Sequence, residues 1–157
     1  MLLRIQVGEA INARAIFSAT LLVLFLSLDY FATDFFSRGN VAAEGNAISA
    51  LWWQLAGPLR HLDIIIEIGG AFVLAFIIRQ RSEFLTLWWL NGLAFGHLMG
   101  FLSWLPYGIL DLFYRITPND QVLTIALSGT GVLLGLPLAF LQIALARRKL
   151  NLGRRAL

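Results

Sequence analysis

Asp29, Glu67 and His97 are groups able to hold or pass a proton, and each lies within an apolar run. Glu67 is the most telling. It stands in His61-Leu-Asp63-Ile-Ile-Ile-Glu67-Ile-Gly69-Gly70, where a carboxylate costs about 2.5–3.5 kcal/mol to insert into a bilayer. Asp63 lies one helical turn before Glu67, and Thr33 one turn after Asp29, so each shares a face with its acidic neighbour. Three kinds of chemistry fit these residues. In the first, carboxylate, imidazole and hydroxyl satisfy one another and fix helix register. In the second, they line a pocket for a quinone, a small solute or a proton, with His97 as the titrating donor. In the third, Asp29, Asp63, Glu67 and His97 hold iron, manganese or zinc, metals suited to carboxylate-rich ligand sets. No spacing such as H-E-x-x-H accompanies them, and no metal is assigned.

Other chemistries are excluded. The chain has no cysteine, which removes disulfides, thiol relays and thiolate-bound metals. A membrane b-haem takes two histidines at matched depth, whereas His97 lies roughly 10 Å deeper than His61 by helical rise. No Ser-His-Asp arrangement, P-loop or G-x-G-x-x-G is present.

The elements that must position these residues are membrane helices. Of 157 residues, 59% are hydrophobic and only 13% charged, and the mean hydropathy is +0.76. A soluble domain of this length carries about a quarter charged residues. Four apolar stretches, residues 16–36, 59–78, 84–105 and 122–146, are each long enough to cross a bilayer core of roughly 30 Å. The expectation is an all-α, integral membrane four-helix bundle forming one domain over residues 1–157. The first stretch reads as a retained helix, since Asp29 and Asp34 occupy the place of a signal-peptide cleavage site. The first dozen residues read as an interfacial lead into it.

Charge sets the orientation. The eleven Arg and one Lys cluster at helix ends, as topology signals do, which argues against a nucleic-acid partner. Arg4, Arg14, Arg79, Arg81, Arg147, Arg148, Lys149, Arg154 and Arg155 fall on one side. Arg38, Arg60 and Arg115 fall on the other. That asymmetry predicts a multi-pass protein of the cell (inner, cytoplasmic) membrane with both termini cytoplasmic. Trp52, Trp53, Trp104 and Tyr107 mark the outer interface, and Trp88 and Trp89 the inner region of the third helix. In this frame Asp29, Glu67 and His97 all lie roughly 10–12 Å below the outer ends of their spans. Residues 47–55 of the first outer loop predict a short helix lying on the membrane through Trp52 and Trp53.

Small residues supply the packing signals. Gly92, Gly96 and Gly100 recur every fourth residue in the third helix, Gly131 and Gly135 do so in the fourth, and Gly69 and Gly70 are adjacent in the second. Such positions let backbones approach where lipid removes the hydrophobic drive between helices. Packing within the bundle is the plainer reading, and contact with another subunit the alternative. Pro137 predicts a kink.

The run Glu67-Ile-Gly69-Gly70-Ala-Phe-Val-Leu-Ala-Phe-Ile-Ile-Arg79 resembles the second-helix signature of the DoxX-like family of small four-helix membrane proteins. The long outer segment, the short basic turn and a His late in the third helix are similar in order. Asn119-Asp120-Gln121, opening the fourth helix, resembles the corresponding family segment loosely. The resemblance spans about 100 residues, with Glu-x-Gly-Gly its specific part. The chain departs from the family in reading Asp29-Tyr-Phe-Ala-Thr33-Asp34 where a Lys is usual, in lacking the usual end of helix four, and in having no cysteine pair. Asp29-x3-Thr33, Gly39 and Glu44-x-Asn46 also resemble an uncharacterised family of small membrane proteins, which has Pro where this chain has Ala47.

The DoxX-like resemblance implies an integral membrane subunit of a larger, quinone-linked redox complex. Its partners would be membrane lipids and other membrane-protein subunits. The candidate pocket, Asp29, Thr33, Asp63, Glu67 and His97, rests on depth and helix face instead. The alternatives are an assembly subunit without chemistry and a small-solute or metal-binding membrane protein. A stand-alone transporter is a further class, for which four helices without an internal repeat are few.

Overall fold

The computed structural model of the protein describes residues 2–37, 47–105 and 120–155. These residues are almost entirely helical: α1 (Leu2–Ser37), α2 (Ala47–Ala56), a 3-10 helix (Gly57–Leu62), α3 (Asp63–Arg79), α4 (Glu83–Ser103) and α5 (Asp120–Arg155). Gly39, Glu44, Gly45, Asn46, Asp111, Arg115 and Pro118 lie outside the described residues.

Among the described residues, three helical segments are long and apolar enough to cross a membrane: Ala13–Phe36, Glu83–Ser103 and Gly129–Arg148. The expected span over residues 59–78 differs in form. Its first part is the 3-10 helix, and the α-helix proper begins only at Asp63 and runs 17 residues. Gly57, at φ 53°, makes the corner between α2 and that segment, a left-handed conformation open to glycine at little cost. The predicted short helix over residues 47–55 is present as α2. The first dozen residues continue α1 as one helix, and α5 runs unbroken through Pro137.

Local chemistry sets the α3–α4 corner. The Arg81 and Ser82 amides donate to the Ile78 carbonyl at 2.8 and 2.9 Å. Ser82 then caps α4, its hydroxyl accepting from the Leu85 amide at 3.2 Å, with Glu83 in the first turn, where the helix dipole favours an acid. So short a connection makes α3 and α4 antiparallel neighbours.

Helix α4 is the centre of the bundle, flanked by α5, α1 and α3, with α5 and α1 taking most of its contact surface. Its Leu90 and Ala94 join Leu22 and Leu26 of α1 and Ala71 and Ala75 of α3 in one buried apolar cluster. The outward faces remain apolar: Ile16, Phe31, Phe35, Phe76 and Leu133 are each more than 60% exposed. So much exposed hydrocarbon suits lipid contact rather than water.

Glycine explains the α4–α5 approach. A β-carbon on Gly131 would collide with the backbone of Gly96 and lie 2.7 Å from the Phe95 carbonyl carbon; one on Gly135 would lie 2.7 Å from the Gly92 Cα. Backbone meets backbone there, as small-residue packing requires. Two sequence expectations need correction. Gly69 and Gly70 are exposed, and a β-carbon on either would meet nothing within 4 Å among the described residues, so they do not pack this bundle. Gly96 contributes its backbone rather than space for its own side chain, since its β-carbon direction is likewise open.

Candidate functional site

Three helices each bring one group to a single point. Helix α1 supplies Asp29, α4 supplies His97 and α3 supplies Glu67. His97 Nδ1 lies 2.9 Å from Asp29 Oδ2, and His97 Nε2 lies 2.9 Å from Glu67 Oε1. The imidazole therefore bridges two carboxylates that are 38 residues apart in sequence. The side chains of Asp29 and His97 are mostly covered, at 21% and 19% exposed, while that of Glu67 is 44% exposed. The acid on α3 is the open end of the bridge.

Gly100, one turn beyond His97 less one residue, makes room for Asp29. A β-carbon at that position would stand 2.5 to 2.7 Å from the Asp29 carboxylate atoms. The third glycine of the α4 row thus seats an acid, whereas the first two meet α5.

Each bridge needs one proton between nitrogen and oxygen. A neutral imidazole carries a single N–H, so the second proton makes it an imidazolium or resides on one carboxylate. In either arrangement the three groups together hold one net negative charge.

The other predicted site residues lie close by but are engaged elsewhere. Thr33 is buried and accepts from the Trp104 indole N–H at 2.9 Å. Asp63 of α3 sits beside the Trp53 indole of α2. Tyr30, next to Asp29 in sequence, pairs its hydroxyl with His61 Nδ1 at 2.5 Å. No group of three or more His, Asp or Glu among the described residues has the geometry to hold a metal ion. Both His97 nitrogens already face carboxylate oxygens, so a metal would have to displace one of them.

A second polar layer lies toward the opposite end of the bundle, and the sequence reading missed it. Asn91 Nδ2 donates to Gln142 Oε1 at 2.9 Å, and Gln142 Nε2 donates to Ser18 Oγ at 3.0 Å, linking α4, α5 and α1. All three residues are buried, and Asn91 Oδ1 has no partner among the described residues. Beyond it Arg14 of α1 pairs with Glu83 of α4. Asn91 and Gln142 are the amides inside the third and fourth apolar stretches, a signal available before the structure. The tryptophans on that half of α4 also reach across: Trp88 donates to the Val132 carbonyl at 3.0 Å and Trp89 to the Ala71 carbonyl at 3.3 Å.

Set against models of protein families, curated proteins and solved structures, the chain matches none. The class that fold and site define is a helical protein built to lie in a membrane, with a carboxylate–imidazole–carboxylate bridge between three of its helices.

Proposed function

We propose that this chain is a four-span integral membrane protein of the cytoplasmic membrane, both termini cytoplasmic, acting as a subunit of a larger quinone-linked redox complex. The observation that carries this reading is the His97 bridge between Asp29 and Glu67. Quinone reduction takes up a proton with each electron, and a protonable cluster at membrane depth is what such a complex needs beside it. The resemblance of the Glu67–Arg79 run to the DoxX-like second-helix signature points to the same setting. For the fourth crossing, α3 rises about 25 Å, and the 3-10 helix lengthens it at its Gly57 end.

A second reading, an assembly subunit without chemistry, is favoured by α3. Its outward Ile65, Ile66, Val73, Phe76 and Ile77 are exposed beside the open Gly69 and Gly70, a surface another subunit could cover. Gentle purification from the native membrane separates the two. The redox reading expects a quinone-reactive partner to copurify with the wild-type chain. Isolation alone, or with partners that lack any redox group, contradicts it.

A further inference from the structure

We propose that Asp29, His97 and Glu67 form a proton-exchange site, loaded and emptied through Glu67 and closed toward the Glu83 end of the bundle. The proposal deepens the reading above and takes from it only which end of the bundle faces outward.

The first support is the bonding of His97. Both ring nitrogens stand 2.9 Å from carboxylate oxygens, so two protons are held in the bridges and one negative charge remains. A third proton, taken from the aqueous phase, adds to the free oxygen of Glu67 and makes the cluster neutral. Its loss restores the starting state. No other bond changes and no further reactant is needed.

The second support is access. Exposure rises from His97 and Asp29 to Glu67, so Glu67 is the least covered member of the cluster and the one assigned as the port. In the opposite direction the cluster meets Leu26 and Leu22 of α1 and Ala94 and Leu90 of α4, all within the buried apolar core. The next polar group along α4 is Asn91, six residues from His97 and about 9 Å by helical rise. Its amide is tied to Gln142, and the α4 residues between, Gly92 to Gly96, carry no polar side chain.

The third support is the company the cluster keeps. On α3 the nearest other acid is Asp63, one turn away beside Trp53. On α1 Tyr30 is paired with His61 of the 3-10 helix, and Asp34 lies five residues beyond Asp29. Helix α5 has no charged residue between positions 121 and 146. No described cation other than the imidazole is bonded to either carboxylate of the cluster, so its charge is set by protons. Gly100 belongs to the site as a positioning residue, because a β-carbon there would collide with the Asp29 carboxylate.

The test uses the full chain in lipid nanodiscs, with nitrogen NMR of labelled histidine and infrared bands of the carboxyls followed across pH. A His61→Gln variant assigns the His97 signals. The wild type is expected to show both His97 nitrogens hydrogen-bonded, with imidazole and carboxyl signals changing together in one coupled event. Glu67→Gln abolishes the coupling and alters the Nε2 signal. Gly100→Ala alters the Nδ1 signal alone without changing any charge. Should Glu67→Gln fail to fold, Glu67→Asp, shorter by one methylene, is expected to lose the Nε2 bond while keeping the Nδ1 bond. In oriented proteoliposomes, a pH jump on the Trp104 side shifts the carboxyl band and one on the Glu83 side does not. Independent titration of His97 and the carboxyls, or a response to the Glu83 side, overturns the proposal. A coupled site in a chain that copurifies with no redox partner would instead sink the complex and leave the site standing.

Discussion

The Asp29 carboxylate is held by an absence as much as by a bond. His97 fixes one oxygen, and the missing side chain at Gly100 leaves the volume that the group fills. Gly100→Ala is therefore expected to cost about 1–3 kcal/mol, as forced displacement of a packed group does, measured by unfolding in lipid. In an Asp29→Ala background most of that cost should vanish, because the two positions are coupled only through their contact. An equal cost in both backgrounds would mean that Gly100 serves the helix and not the acid. The inner amide layer gives a second test at this scale. Gln142→Leu removes the acceptor for Asn91 and the donor to Ser18, leaving a buried amide without a partner at about 1–3 kcal/mol. Thermal unfolding that is unchanged by Gln142→Leu would remove the network from the account.

Among elements, α4 determines how the others sit, and its glycines show what a sequence can and cannot tell. The four-residue recurrence of Gly92, Gly96 and Gly100, and of Gly131 and Gly135, is legible as close packing. Which glycine meets which is not, because that depends on the crossing of α4 and α5. The crossing directs the β-carbon vectors of Gly131 and Gly135 into the α4 backbone and leaves that of Gly96 free. Gly131→Leu and Gly135→Leu should thus disrupt folding in detergent and in lipid, while Gly69→Leu and Gly70→Leu leave the monomer folded. A Gly131→Leu variant as stable as the wild type would show that α5 does not pack against α4 as described. The doublet Gly69-Gly70 has the same sequence appearance but lies on the outward face of α3, and composition alone carries no direction.

At the scale of the whole molecule, apolar length and charge placement make a helical membrane protein readable from the sequence. Matched depth brings Asp29, Glu67 and His97 together in anticipation. Thr33 and Asp63 share a face with Asp29 and Glu67 but stand one turn away, where Trp104 bonds to Thr33 and Trp53 lies beside Asp63. The pairing of Tyr30 with His61 was hidden, since it depends on how the 3-10 helix turns back against α1. Orientation is open to direct measurement. A reporter fused after Leu157 should be cytoplasmic and one inserted near Gly45 external, as the basic asymmetry predicts. An external C-terminus would reverse the side from which Glu67 is reached.

The central claim is that the His97 bridge between Asp29 and Glu67 works rather than merely holds helices together, and Glu67→Gln in the native membrane tests it most directly. The amide preserves shape and can still hydrogen-bond to the imidazole, but it cannot take up a proton. The expected result is an unfolding midpoint close to that of the wild type with loss of quinone-linked turnover in the copurified complex. A lowered midpoint with full turnover per folded molecule would contradict it and make the bridge a structural tie.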